Sequence, residues 1–225
     1  NGVRFNGTSS VTTANISADN GIVHVVDAVI GLPTIATFAT SNNALSNLVD
    51  ALAYADSGSP TVPYISTVSD ASAGPFTVFA PTNEAFATFL SDNGFATLDD
   101  VPVEVLTQVL LNHVISGVIT SSDLVSAGSG YSNTLANGAG NNSMSIYFNT
   151  SNGVKFNGIS SVSLADITAS NGVIHVVDAV IGLPTVVTFA AADPTFSTLV
   201  TALTELTPAT NFVEVLQGVG PFTVF

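Results

Sequence analysis

Three histidines, His24, His113 and His175, are the side chains of this 225-residue chain that can exchange a proton near neutral pH. Ser and Asp are plentiful, so a Ser–His–Asp arrangement around His113 is conceivable. Spacing argues against it. His113 closes an i, i+4 row with Val105 and Val109 on an apolar helix face, where a histidine is more simply a buried group bonded to backbone. His175 and Asp178 are three residues apart in a strand-like run, so they point to opposite faces, and His24 and Asp27 repeat the arrangement. No G-x-S-x-G turn offers a nucleophile, and no H-E-x-x-H or similar cluster suggests zinc. Asp99 and Asp100 carry the oxygen ligands calcium takes. Without EF-hand spacing they read as helix-start residues at a positive dipole end. The residues therefore point to no catalytic group, no metal and no cofactor.

Composition narrows the classes further. Hydrophobic residues make up 46% of the chain and charged residues 8%, so Ser, Thr, Asn and Gly must cover most of the surface. Sixteen acidic residues against two basic ones, Arg4 and Lys155, give a net charge of −14. That balance excludes a nucleic-acid binder and attraction to an anionic membrane surface. There is no cysteine, hence no disulfide and no thiolate site. No apolar run approaches the roughly 18 residues of a membrane span. The chain starts mid-pattern, so a targeting segment could lie upstream. Scarce Lys and Arg leave a trypsin-like protease little to cut. With the N-x-[ST] sequons at Asn6, Asn15, Asn141 and Asn149, this suits a secreted or cell-surface protein.

The elements that position these groups come in a repeated order. "NGIVHVVDAVIGLP" (Asn20–Pro33) recurs as "NGVIHVVDAVIGLP" (Asn171–Pro184), and "GPFTVF" occurs at Gly74–Phe79 and Gly220–Phe225. Laying Asn1 on Asn152 matches about 28 of the first forty positions, so the period is about 150 residues. One complete unit spans 34–184. Residues 1–33 read as the tail of a preceding unit and 185–225 as the head of a following one. Within the unit, apolar spacing predicts a helix from Asn42 to about Tyr54 and another through "VPVEVLTQVLLNHVISG". "GPFTVFAP" reads as a short buried strand, followed by a helix with Thr82 as N-cap and Glu84 near its positive end. The Gly-rich Ser126–Ser143 reads as a mobile surface loop or hairpin connection. From Tyr131 onward β-type runs alternate with Asn-Gly turns. Helices in the first half and strands in the second argue for an α+β fold.

"GPFTVFAPTNEAF" (Gly74–Phe86), "LLNHVISG" (Leu110–Gly117) and "NGVIHVVDAVIGLP" together resemble the three signatures of the fasciclin, or FAS1, family, in the family's order. In the family Tyr usually precedes the central histidine, whereas here it is Asn112. The resemblance implies a β-wedge with several packed helices, repeated in tandem, and a role in extracellular adhesion rather than catalysis. It makes Thr82, His113, His24, His175, Asp27 and Asp178 structural motif residues. It also makes Asp166 and Ile167 adhesion-motif candidates, because animal members carry an Asp-Ile pair there, linked to integrin binding. The first copy has Asn15 and Ile16 instead. Expected partners are other FAS1 units in the same or neighbouring chains, and matrix protein or glycan. Near-identical copies favour regular stacking into a filament, with contacts at the Pro33 and Pro184 junctions. The alternatives are a carbohydrate- or ligand-binding module, using Tyr131 or Tyr147 in a chain without Trp, and a hydrolase with His113 in a water-open pocket.

Overall fold

The computed structural model describes residues 2–205, 211–218 and 220–225. Asn1 of the first flank, and 206–210 and 219 of the second, lie outside the described residues. The first flank folds as a small antiparallel sheet in the order β1-β2-β3, from β1 (Arg4–Phe5), β2 (Ser9–Ala18) and β3 (Gly21–Val26). Helices α1 (Ile35–Ser41), α2 (Ser46–Ser57) and α3 (Tyr64–Ser69) follow. Next come β4 (Phe76–Pro81), α4 (Asn83–Asp92), α5 (Val103–Leu111), β5 (Val114–Ser116) and α6 (Ser121–Ala127). Then come β6 (Ser129–Asn137), β7 (Ser143–Asn149), β8 (Lys155–Phe156), β9 (Ser160–Ala169) and β10 (Gly172–Val177). The second flank adds α7 (Val186–Ala192), α8 (Ser197–Glu205) and α9 (Phe212–Gln217).

Strands β4 to β10 form one seven-stranded sheet, ordered β5-β4-β10-β9-β8-β7-β6. β4 and β10 run parallel, and the other described neighbours are antiparallel. The two edge strands, β5 and β6, come against one another, which curls the sheet into a wedge. One core fills the helical side with Leu45, Phe86, Leu106 and Ile174. A second fills the inside of the wedge with Phe79, Ile146, Phe156 and Ile181, and the rings of Phe79 and Phe156 lie 4.1 Å apart. Each of these fully buried side chains contributes roughly 2 kcal/mol by leaving water. The fold is the expected α+β wedge.

Local chemistry explains most boundaries. Thr34 and Thr185 start α1 and α7 with the same reciprocal cap, shared with Thr37 and Thr188. Thr82 caps α4, accepting from the Ala85 N–H at 3.2 Å. Asn6-Gly7 and Asn157-Gly158 turn β1 into β2 and β8 into β9 with positive φ at both residues, which Asn and Gly tolerate best.

Three expectations need correction. The long helix through His113 ends at Leu111, because the β-branched Val114-Ile115 pair adds to the sheet edge as β5. Asp99 and Asp100 do not open α5. They lie in a separate 3₁₀ turn, Leu98–Asp100, closed by Asp100 onto Thr97, and α5 begins after Pro102. Half of the Gly-rich 126–143 stretch is the strand β6, whose inward Thr134 and Ala136 are buried, and the hairpin connection to β7 itself is short.

The duplicated glycine gives a direct test of packing. A Cβ on Gly172 would lie 2.1 Å from the Phe76 carbonyl oxygen, whereas one on its twin Gly21 meets nothing within 4 Å. Gly172→Ala is therefore expected to lower unfolding stability by about 3 kcal/mol or more, and Gly21→Ala by less than about 0.5 kcal/mol. Urea denaturation midpoints of the two variants check the contrast.

Candidate functional site

Both histidines of the central unit are pins between segments. His113 is buried, and its Nδ1 lies 2.7 Å from the Val109 carbonyl while Nε2 accepts from the Ile181 N–H at 2.8 Å. Those partners assign the proton to Nδ1 and leave the ring neutral. Asn112 beside it donates to the carbonyls of Ile181 and Gly182, at 3.2 and 3.1 Å, and accepts from Thr134 at 3.0 Å. Asn112 and His113 together hold the 181–182 loop against the end of α5. The hydrolase reading needs His113 open to water beside a nucleophile. Instead both ring nitrogens are occupied by backbone, and the side chain is enclosed.

His175 is also buried and sits 2.9 Å from the Ile119 carbonyl through Nε2, while its Nδ1 accepts from the Asp166 N–H at 3.3 Å. Asp166 has φ +59° at an irregularity between β9 and β10. Its carboxylate accepts from the Ser121 N–H and hydroxyl, and these bonds hold its pKa below the ordinary carboxylate value. The twin Asn15 has φ +60° and gives its N–H to His24 Nδ1 at the same 3.3 Å. Asn replaces Asp here without disturbing the backbone, since both tolerate the left-handed region. Ile167 packs against the helical-side core. Asp178 and Asp27 each accept from a backbone N–H, of Ser161 and Ser10, at 2.6 Å. They close the open ends of their hairpins.

Two polar residues in this framework make long-range bonds that their place in an Asn-Gly turn did not announce. Asn171 accepts from the Ile35 N–H at 2.9 Å and donates to the carbonyls of Val68 and Asp70, tying the β9–β10 turn to α1 and α3. Asn157 pairs with the Tyr147 backbone through Oδ1. Of the four sequon residues, Asn15 and Asn141 are exposed. Asn6 donates to the Gly31 carbonyl and Asn149 to the Tyr147 hydroxyl. Tyr147 is buried. Tyr131 bonds Asp193 at 2.9 Å, with the Phe189 ring edge-on at 5.6 Å. The carbohydrate reading thus finds Tyr131 already engaged by the second flank.

The same contact closes both junctions. At the first, a Cβ on Gly7, in the β1–β2 turn, would lie 2.9 Å from the Ser41 hydroxyl at the end of α1. At the second, a Cβ on Gly158, in the β8–β9 turn, would lie 3.2 Å from Ala192 Cβ at the end of α7. Gly158 and Ala192 are the repeat twins of Gly7 and Ser41. Arg4 and Lys155, the two basic residues, are also twins, and each lines a cavity at its junction, of about 360 and 200 Å³. Among the described residues neither makes an ion pair with a carboxylate. Phe38 and Ile167 complete the first cavity.

Two measurements check this geometry. Burial lowers the His113 pKa from 6.5 to about 4, against the opposing bond to Val109. The unfolded chain therefore takes up this proton first, and stability falls with pH from 6.5 toward 4. The loss reaches about 3 kcal/mol, to be read by urea denaturation across that range, and His113→Gln flattens the slope while lowering stability at pH 7. Tyr131→Ala combined with Phe189→Ala removes an aromatic contact of about 1 kcal/mol, so amides of α7 should exchange with deuterium several-fold faster while those of β10 do not change.

Comparison with known proteins agrees with the fold. The fasciclin domain family matches residues 39–184. Protein sll1483 of Synechocystis is 37% identical over 149 residues, covering 66% of this chain and 72% of that protein. Protein sll1735 of the same organism is 31% identical over 150 residues, covering 67% and 98%. Human periostin is 28% identical over 189 residues, 80% of this chain and 20% of periostin. The structure of a FAS1 domain pair from the insect cell adhesion molecule Fasciclin I superposes with a TM-score of 0.52 at 21% identity, covering 78% of this chain and 60% of that one. Residues 39–184, the greater part of the chain, thus carry a fasciclin domain, and the chain belongs to the fasciclin family.

Proposed function

We propose that this chain is part of an extracellular or cell-surface structural protein, built from fasciclin domains in tandem and acting in adhesion by many weak contacts. The observation that carries the reading is the junction. One turn-to-helix-end contact joins the first flank to the central unit, and its twin joins the central unit to the second flank. A contact between two different surfaces, repeated with one geometry, does not close on itself unless the rotation returns to its start, so successive units extend as a filament or superhelix. The periostin match supports the tandem arrangement, since its 189 residues exceed the single domain at 39–184.

Within this reading Asp166 and Ile167 serve adhesion at the junction. Ile167 lines the first cavity with Arg4, and Asp166 fixes the bend that presents it. Partners are other fasciclin units and matrix protein or glycan. Asn15 and Asn141 are the sequons open to glycosylation. The reading is non-catalytic, in keeping with the enclosed, fully bonded His113.

The test is adhesion as a function of density. Beads coated with the chain should adhere to a surface bearing the same chain with a force that rises more steeply than linearly with coating density. Soluble chain should compete poorly, because linked weak sites gain from effective concentration. Adhesion that is linear in density, or abolished by soluble chain at low concentration, would sink the multivalent reading.

A further inference from the structure

Five Asn-Gly pairs lie in the central unit, at Asn93, Asn137, Asn152, Asn157 and Asn171. Such a pair can react with itself. The backbone nitrogen of the glycine attacks the asparagine Cγ, the Cγ–Nδ2 bond breaks, and ammonia leaves with the proton of that nitrogen. Water then opens the five-membered succinimide at either carbonyl, giving aspartate or its backbone-shifted isomer, isoaspartate. Only water is consumed, and a carboxylate replaces an amide. Glycine is the favourable neighbour because no Cβ shields its nitrogen. The fold decides which pair reacts, since the side chain must be free to turn onto the next nitrogen.

Four of the five pairs are held. Asn171 is buried and makes three side-chain bonds, and the Phe76 backbone stands against Gly172. Asn157 is buried, with Oδ1 taken by the Tyr147 N–H at 2.9 Å. Asn93 donates to the Phe89 carbonyl at 2.8 Å, and the Gly94 N–H donates to Ser91 at 3.1 Å. The Gly138 N–H after Asn137 donates to the Asn142 carbonyl at 2.7 Å. Asn152 differs from all of these. It is exposed, in the connection from β7 to β8, and its side chain makes no bond among the described residues. Gly153 is also exposed, has φ +81°, and has open space where a Cβ would stand. Nearby Asn149 is not free in this way, because its Oδ1 accepts from the Ser151 N–H and hydroxyl at 2.9 and 2.6 Å.

We propose that Asn152 is a site of spontaneous modification, and that its conversion places a carboxylate beside Lys155 at the junction. Asn152, Gly153 and Lys155 line one cavity of about 200 Å³ together with Ala192 and Pro194 of the second flank. Among the described residues Lys155 has no carboxylate partner, and groups around so small a cavity lie within Coulomb reach of one another. The new carboxylate therefore supplies the counter-charge that the junction lacks. Loss of ammonia makes the step irreversible, so the junction gains negative charge with the age of the molecule. The inference does not rest on the adhesive reading.

The test is to age the chain in mildly alkaline buffer at physiological temperature and to locate each converted amide by fragment mass. Asn152 should convert several-fold faster than Asn93 and Asn137, while Asn157 and Asn171 stay unchanged. Isoaspartate at residue 152 should also be detected by enzymatic methylation. In urea, where the bonds of the other four are lost, the five rates should converge. Conversion spread evenly over the five pairs of the native chain, or led by one of the four held pairs, overturns the site. Asn152→Asp, a change at an exposed position, tests the placing of the carboxylate. It should raise the pKa of the Lys155 amine in an NMR titration, as a nearby opposite charge does. An unchanged Lys155 titration overturns that placing.

Discussion

Strand β10 is hydrogen-bonded along both edges, to β4 and to β9, and all six of its residues are buried. The parallel pairing with β4 brings the first half of the unit onto the second, and it requires the two backbones to approach at Gly172 more closely than any side chain would permit. Both cores are built on the two faces of this strand. Ile174 and Val176 belong to the helical-side core, and Val177 belongs to the inside of the wedge. A strand buried on both faces reads as a continuous apolar run, as "VIHVV" does.

The polar groups buried around β10 are spent on backbone. His113, His175, Asn112 and Asn171 each satisfy carbonyl or N–H groups of segments that have no ladder partner there. Buried backbone groups left unpaired would cost about 1–3 kcal/mol each, so these side chains fix loops that apolar packing alone would leave undefined. The neutral state of His113 follows from its two backbone partners, which occupy both ring nitrogens.

Much of this was legible in the chain. Thr82 and the Asn-Gly turns depend on neighbours within a few residues, and local chemistry settles them. The strand at Ser129–Asn137 was not legible, because its Gly, Ser and Asn residues have no strand preference of their own, and pairing with β7 decides the matter. The end of α5 at Leu111 was hidden for the same reason. The apolar period continues through His113, but the edge of β4 captures Val114–Ser116. The partners of Asn112 and Asn171 could not be read, since nothing in the sequence says which of many Asn residues meets a bare carbonyl far along the chain.

The twin segments separate the two kinds of information. By itself the sequence determined the hairpin, its tight Asn-Gly turn, the left-handed bend at Asn15 or Asp166, and the aspartate at its open end, because those interactions are local and both copies make them. Only the tertiary structure decided that Val173 and Ile174 lie in a core, and that the Phe76 backbone stands where a side chain at position 172 would go. Burial is a property of what stands opposite a strand, and the strand that stands opposite β10 comes from the far side of the same domain.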